Sequence, residues 1–276
     1  MRRTDYPLLF TAALVASSLV LAPAAEAVSI QSGIGMAFST HPDTLLAGYG
    51  GFRVRVRSSR YRAGGFRRGG DCLMNQNDRI LVIAPPVKPE EEAAFSENLE
   101  SGDTKDNIGP IDRTASAYPV VLAYIPQLTG PTEAQLTVQT GDFSTQLADI
   151  SFNLSGQAGI VAIQMPRSMP ALEIETPYVW QLAVQCDTAD DSRSDDLVVE
   201  SWIEREALDT AATGTLQEQA AFYAAEGIWQ ETASTLAQLR YQFPGDASIG
   251  RDWAALMNDV GLAEFAATPV VQAVGL

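Results

Sequence analysis

Histidine and cysteine, the residues behind most nucleophilic and metal chemistry, are scarce in this sequence. Its 276 residues include one histidine, His41, and two cysteines, Cys72 and Cys186. Acyl-transfer catalysis needs a histidine docked beside a nucleophile, and His41 lies in a segment with no predicted core. Zinc needs three or four ligands, which one histidine and two cysteines cannot supply without carboxylates. We therefore predict no catalytic, cofactor-binding or metal-binding residues, and no cofactor.

Carboxylates are the abundant candidates, with 34 Asp and Glu residues against 18 Lys and Arg and a net charge of −16. Glycoside hydrolysis requires only two acids at a set separation, but no pair stands out by its spacing. Five acids share one turn between predicted strands, and oxygen-only clusters suit calcium. Their spacing lacks the EF-hand pattern, so we interpret them as a solvated hairpin tip, with a calcium site as the alternative: Asp187, Asp190, Asp191, Asp195 and Asp196.

Positive charge is concentrated in residues 28–70, which we call the basic arm. It has one acid, Asp43, and is rich in glycine, so we expect it to be disordered. We interpret it as a tether that partly neutralises the acidic remainder, or as a contact for an anionic surface such as polysaccharide or lipid headgroups. Export disfavours nucleic acid, although arginine with interleaved aromatic residues suits it. The arginines are Arg53, Arg55, Arg57, Arg60, Arg62, Arg67 and Arg68.

The first 27 residues match a secretory signal peptide, with an uncleaved N-terminal anchor as the alternative. Arg2 and Arg3 precede an apolar run over 8–21, and residues 25–27 read Ala-Glu-Ala, a small-x-small cleavage site. We expect a periplasmic or extracellular protein with no membrane span after cleavage. Because an exported protein meets an oxidising compartment, Cys72 and Cys186 are predicted to form a disulfide, with two separate buried thiols as the alternative.

Strand patterns dominate the middle of the chain, after a long acidic loop over 86–116. Apolar or alternating runs separated by turn residues predict an antiparallel β-sandwich over 71–205, immunoglobulin-like in outline. Trp180 and Trp202 are predicted to be core residues, with a ligand platform as the alternative. The seven predicted strands cover 79–84, 118–125, 134–140, 144–154, 159–165, 178–186 and 197–203.

Helical periodicity replaces the strand pattern over 206–268, before a short tail over 269–276. Thr215 and Glu218 form a capping-box motif, Gly227 is a natural C-terminal stop, and Asp246 is an N-cap for a third helix. The helix–Gly–helix unit is similar to one tetratricopeptide unit. A single unit is not stable alone, so we expect these helices to pack on the sandwich, with docking to a partner as the alternative.

Several short segments resemble a cyanobacterial family called domain of unknown function 928. The helical matches lie at 223–229, 236–240 and 253–257, and the strand matches at 157–161, 178–180 and 199–203. The Arg/Gly-rich stretch running into Cys72 is also similar, and the resemblance covers about residues 65–265. It implies an exported protein with a β-rich body and a short helical tail. It implies no catalytic residues.

Two functions fit these observations. The first is a non-enzymatic exported protein that binds or scaffolds at the cell envelope, with an envelope protein or an anionic polysaccharide as its partner. The second is a carboxylate-dependent hydrolase of cell-surface glycans, which requires two acids about 5–10 Å apart, one with a raised pKa. We favour the first, because the sequence offers no nucleophile–base set.

Overall fold

The computed structural model describes residues 63–64, 72–75, 77–86, 111–186, 193 and 195–276. Several predictions fall outside these residues and stay predictions. They concern the signal peptide, the single histidine, the arginines of the basic arm and three acids of the hairpin tip: His41, Arg53, Arg55, Arg57, Arg60, Arg62, Arg67, Arg68, Asp187, Asp190 and Asp191.

Two five-stranded sheets form the body of the described chain. The first sheet has the order β1-β2-β4-β7-β10 and the second the order β3-β9-β8-β5-β6. The strands are β1 (Ala63–Gly64), β2 (Ile80–Val82), β3 (Asp112–Thr114), β4 (Val120–Ile125), β5 (Thr132–Thr140), β6 (Gln146–Leu154), β7 (Gly159–Gln164), β8 (Pro177–Val184), β9 (Leu197–Arg205) and β10 (Val270–Val274). All seven predicted strands are present, so the mainly β prediction is confirmed.

Alternating side chains of the two sheets build the sandwich core. On β8, Trp180 and Leu182 point into this core and are 2% and 0% exposed. Leu136 on β5 and Val199 on β9 join the same cluster. A strand places successive side chains on opposite faces, so the apolar spacing in the sequence fixes which face of the second sheet turns inward.

The central strands of the first sheet, β4 and β7, are buried on both faces. Val121 and Val161 point into the sandwich core, whereas Leu122 and Ile160 belong to a second apolar cluster that includes the helices. Strand β7 is correspondingly apolar at consecutive positions, with burial of every residue except Gln164. A strand with both faces covered requires such a continuous run. The described part of the chain therefore has three layers: the second sheet, the first sheet and the helices.

Three helices follow β9: α1 (Leu216–Ala225), α2 (Trp229–Gln242) and α3 (Ala247–Asp259). The Thr215–Glu218 capping box starts α1, and Asp246 caps α3 through the N–H groups of Ser248 and Ile249. Gly227, with φ of 75°, reverses the chain between α1 and α2, a conformation that glycine adopts without steric cost. The predicted hairpin and third helix are confirmed, and their apolar faces contact the first sheet.

Two strand pairs depart from a purely antiparallel sandwich. β3 runs parallel to β9, and β10 runs parallel to β7, while the other described pairs are antiparallel. Residues 270–274, which the sequence assigned to a tail, form β10, and Ala63–Gly64, assigned to the basic arm, form β1. A parallel pair needs a long crossover, and β10 satisfies this by pairing with β7 only after the three helices.

Cys72 and Cys186 form a disulfide, with their Cα atoms 4.9 Å apart. The Cys72 carbonyl accepts a hydrogen bond from the Thr129 N–H at 2.8 Å, and Leu73 forms an isolated bridge with Leu128. The bond thus joins the segment before β2 to the end of β8, across 114 residues of sequence. The predicted disulfide is confirmed.

Candidate functional site

A buried carboxylate lies where the chain crosses between the sheets. Glu231, in the first turn of α2, accepts hydrogen bonds from the Thr114 hydroxyl, from the Ala115 N–H at 2.9 Å and from the Ser116 N–H at 3.2 Å. Thr114 ends β3, and Ala115 and Ser116 begin the loop that leads from the second sheet to β4 in the first. We call this contact the corner clamp.

Gln230 completes the corner clamp. Its side-chain amide donates a hydrogen bond to the Val120 carbonyl at the start of β4. Adjacent helix residues therefore hold both ends of the crossing loop. Gln230 is 5% exposed and Glu231 is 8% exposed, and a buried polar group is costly unless it is hydrogen-bonded.

Glu231 has the electrostatics of a structural group. Burial raises the pKa of the Glu231 carboxyl, and its hydrogen bonds from Thr114, Ala115 and Ser116 act in the opposite direction. The N-terminal turn of a helix also favours a carboxylate. Because its oxygens are occupied by protein donors and enclosed, we assign Glu231 to positioning the crossing loop rather than to contact with a substrate.

The accessible polar chemistry lies on the outward face of the second sheet. Residues of β5, β8 and β9 alternate with core residues there and are half-buried. We call this surface the polar face and define it by Gln135, Thr137, Gln139, Gln181, Glu200 and Trp202.

One row of the polar face crosses three strands in register. Thr137 on β5 pairs with Gln181 on β8, which pairs with Glu200 on β9. Partial burial raises the pKa of the Glu200 carboxyl, and a hydrogen bond from the Gln181 side chain opposes that rise. Two strand spacings separate the ends of the row, about 10 Å. The row offers a hydroxyl, an amide and a carboxyl group to one ligand.

An aromatic pair borders this row. Trp202 lies two residues from Glu200 on the same strand, and its ring centroid is 5.8 Å from that of Phe143 at an interplanar angle of 86°. Phe143 is 54% exposed. We call the pair the aromatic corner. Two rings at a right angle present both a flat apolar surface and an upright wall.

The tip of the β5–β6 hairpin fixes Phe143 in this position. Phe143 has φ of 59°, a left-handed conformation that costs free energy for a residue other than glycine. Asp142 stabilises the turn by accepting hydrogen bonds from the Thr140 hydroxyl at 2.6 Å and the Ser144 N–H at 3.0 Å. These hydrogen bonds lower the pKa of Asp142 to about 2.

Gly141 leaves room for the Trp202 ring. A Cβ atom at Gly141 would lie 2.8 Å from the Pro177 carbonyl oxygen and 3.0 Å from Cζ3 of Trp202. The indole therefore extends from β9 across β8 towards the end of β5. Val179 on β8 is the cross-strand neighbour of Trp202 and is buried, although it lies on the outward face of the sheet, opposite to Tyr178 and Trp180 in the sandwich core. The aromatic corner thus has a fixed base on the sheet.

Three acids on the strands of the outward face, Asp149, Glu200 and Glu204, are far apart, and a fourth, Glu133, lies four residues from Thr137 on β5. Asp149 on β6 is three strands from Glu200, about 14 Å, and Glu204 is four residues further along β9, about 13 Å. Glycosidase pairs lie about 5–9.5 Å apart. These three carboxylates therefore do not form the acid pair that a hydrolase needs.

The structure separates the two predicted core tryptophans. Trp180 is in the sandwich core as predicted. The prediction that Trp202 is a core residue is wrong, because Trp202 lies between two inward-facing residues of β9, Ser201 and Ile203, and therefore points outward, beside Phe143.

Of the hairpin-tip acids, Asp196 is buried and accepts a hydrogen bond from Arg193 Nε at 2.7 Å. Within the described ranges, no group of three or more His, Cys, Asp or Glu side chains is placed to hold a metal ion.

Comparison with protein families agrees with the short motifs of the helical hairpin and strands. The model of the Domain of Unknown Function (DUF928) family matches residues 63–270. The chain belongs to this family. The match begins at β1 and ends at the first residue of β10, so the DUF928 region includes the second sheet, the first sheet as far as the start of β10, the aromatic corner and the corner clamp. The resemblance to the family is confirmed, and a cyanobacterial origin stays a prediction.

No curated protein and no solved structure matches this DUF928 chain. In the part of the chain that the structure describes, no helix is both long enough and apolar enough to cross a membrane.

Proposed function

We propose that this DUF928 protein is an exported, non-enzymatic binding module of the cell envelope, and that it binds through the polar face and the aromatic corner. The observation that carries this proposal is the contact between Trp202 and Phe143 at the edge of a half-buried polar row. The helices pack on the first sheet, and none of the described helices covers the outward face of the second sheet, which we propose as the surface for a ligand. The disulfide is compatible with an oxidising compartment.

The carboxylate-dependent hydrolase is the alternative. Partial burial raises the pKa of Glu200, which is the direction that a general acid requires. Neither Asp149 nor Glu204, however, lies at the distance that a second catalytic carboxyl requires. The buried acid, Glu231, is held by backbone and hydroxyl donors in the corner clamp. The geometry therefore favours binding over hydrolysis.

The basic arm supplies a second proposed contact. Its seven arginines are suited to an anionic polysaccharide or to an acidic surface of an envelope protein. Such a contact weakens as salt rises, because it depends on exposed charges. The polar face, which depends on hydrogen bonds and ring contacts, is expected to be less sensitive to salt.

Co-sedimentation with the envelope fraction tests the proposal. The mature full chain and its Trp202→Ala variant are incubated with washed envelopes, at low and at high salt. We expect the wild-type protein to sediment and the variant to lose at least tenfold in apparent affinity at high salt. Tyr241→Ala is the matched control, because Tyr241 is an exposed aromatic residue on α2. Equal sedimentation of wild type and Trp202→Ala at high salt would contradict the proposal.

Two further measurements test its other parts. Mass determination of the protein in the exported fraction is expected to show a chain that begins at Val28, and an intact leader on a cytosolic protein would contradict export. Deletion of residues 28–62, which leaves β1 in place, is expected to reduce the salt-sensitive part of envelope binding. Unchanged salt dependence after that deletion would exclude Arg53, Arg55, Arg57, Arg60 and Arg62 as contacts.

A further inference from the structure

We infer that the ligand of the polar face is an uncharged polysaccharide, with one sugar ring seated in the aromatic corner and its hydroxyls paired along the Thr137–Gln181–Glu200 row. This inference rests on the proposed binding function and names its ligand class. It follows from the charge, the hydrogen-bonding groups and the ring geometry of that surface, taken in turn.

The centre of the polar face carries little charge. The outward positions from 135 to 139 on β5, from 179 to 183 on β8 and from 198 to 202 on β9 include one ionisable side chain, Glu200. At the margin, Arg193 pairs with Asp196 and also donates a hydrogen bond to the Gln135 side chain, and Arg113 pairs with Glu206. These described cations near the surface are therefore already paired with carboxylates, and Glu200 repels a polyanion.

The groups of the row match sugar hydroxyls. Gln181, which donates one amide N–H to Glu200, offers its second N–H and a carbonyl acceptor, Thr137 a hydroxyl that both donates and accepts, and Glu200 its remaining acceptor positions. A hydroxyl needs both a donor and an acceptor to be satisfied, and neighbouring hydroxyls of a sugar ring present them in pairs. Gln139 extends the same amide chemistry along β5, whereas the Gln135 amide already pairs with Asp149 and Arg193 at the margin of the face.

The aromatic corner supplies the apolar contact that sugars also require. One face of a pyranose ring exposes C–H groups, which pack on the electron-rich face of an aromatic ring. Trp202 is fixed against the sheet beside Gly141, and Phe143 stands at 86° to it. The Phe143 ring already contacts Trp202 without a ligand, which reduces the entropy cost of binding.

A basic peptide is the competing ligand class, since the protein is acidic overall. Its cations would be drawn to exposed carboxylates. Asp149, at the margin of the face, already accepts hydrogen bonds from Gln135 and Gln146, and Glu200 accepts one from Gln181. The observations favour a ligand that needs amides and an aromatic surface over one that needs several open carboxylates.

Affinity electrophoresis separates these ligand classes. The full mature chain is run through native gels that contain dextran, a soluble mixed-linkage β-glucan, xylan or alginate, and binding of an arginine-rich peptide is measured by calorimetry. We expect retardation by at least one of the three neutral polysaccharides, with no dependence on salt. Trp202→Ala is expected to weaken that retardation at least tenfold and Gln181→Ala several-fold, while Tyr241→Ala leaves it unchanged.

The outcomes that overturn the inference are distinct from those that overturn the proposed function. Retardation by alginate alone, binding of the peptide alone, or no retardation in any neutral gel overturns the ligand class. If envelope binding still depends on Trp202 in that case, the proposed function stands with another ligand, such as an envelope protein. Circular dichroism spectra and unfolding midpoints of the variants show that any loss of binding occurs in folded protein.

Discussion

The carboxylate of Glu231 accepts a hydrogen bond from the N–H of Ala115 at 2.9 Å, across 116 residues of sequence. This contact ties the first turn of α2 to the loop that carries the chain from the second sheet to the first. The helical layer is therefore part of the sandwich framework rather than an appendage. The polar face lies on the opposite sheet from the helices, on a scaffold that the corner clamp holds in register.

Removal of the Glu231 side chain is expected to lower stability strongly. In Glu231→Ala, the donors of Thr114, Ala115 and Ser116 lose their acceptor inside the protein, and unsatisfied buried groups cost about 1–3 kcal/mol each. We expect the free energy of unfolding in urea to fall by about 3 kcal/mol. Glu226→Ala, at an exposed acid after α1, is the matched control and should change it by less than about 0.5 kcal/mol. A small effect of Glu231→Ala would show that the clamp does not support the fold.

The corner clamp also predicts a pH dependence. Burial raises the pKa of Glu231 above its ordinary value of 4.5, so the folded state binds the proton more tightly than the unfolded state. The contribution of the Glu231 carboxyl to the free energy of unfolding is fully present below the unfolded-state pKa and is lost as pH rises through the folded-state pKa. Compared with Glu231→Gln, which does not titrate, the wild-type protein should lose free energy of unfolding as pH increases above about 4.5. If the difference in free energy of unfolding between the wild-type protein and Glu231→Gln stays constant with pH, that result would contradict the raised pKa of Glu231.

Gly141→Ala is expected to disturb the aromatic corner. The added Cβ would meet the Pro177 carbonyl at 2.8 Å and the Trp202 ring at 3.0 Å, so the backbone or the indole must move. We expect a loss of about 1–3 kcal/mol in the free energy of unfolding and a change in the near-ultraviolet circular dichroism of tryptophan.

Gly250→Ala is the control for that substitution. Gly250 lies inside α3, and a Cβ there would have no atom within 4 Å. Because alanine is the better helix former, this change should stabilise the protein by about 0.5–1 kcal/mol. Equal effects of the two substitutions would show that Trp202 has room to adapt at Gly141.

The disulfide between Cys72 and Cys186 is expected to contribute substantially to stability. It closes a loop of 114 residues, and the chain-entropy relation gives about 4–5 kcal/mol for a loop of this size. The double variant Cys72→Ser, Cys186→Ser should unfold at a correspondingly lower urea concentration. Reducing agent should bring the wild-type protein to the same midpoint and leave the variant unchanged. A wild-type midpoint that does not respond to reduction under unfolding conditions would contradict this contribution.

The long strands and the capped helices could be predicted from the sequence, because each carries a local signal. Period-two alternation marks β5, β8 and β9, and the Thr215–Glu218 capping box marks α1. β3 reads Asp-Arg-Thr within an acidic loop and has three residues, so no periodicity identifies it. β10 lies beyond the helices, and only its parallel partner β7 makes it a strand.

The candidate site was less predictable, because it depends on tertiary contacts. Phe143 and Trp202 are 59 residues apart in the sequence, and their contact follows from the register of β5, β8 and β9. The corner clamp carried one weak signal, namely polar Gln230 and Glu231 placed directly after Trp229 at a helix start. The whole first turn of α2 is buried because it packs between other parts of the structure. The periodicity of a helix sequence predicts only one buried face, so it could not predict this.

Hydroxyl-radical footprinting of the full chain tests the binding surface most directly. The rates of side-chain oxidation are measured by mass spectrometry with and without washed envelopes. We expect Trp202 and Phe143 to be protected, while Tyr241 and Phe243, which are exposed at the end of α2, react at unchanged rates. Protection of Tyr241 and Phe243 with no change at Trp202 and Phe143 would contradict the proposed binding surface and would place the contact on the helical layer.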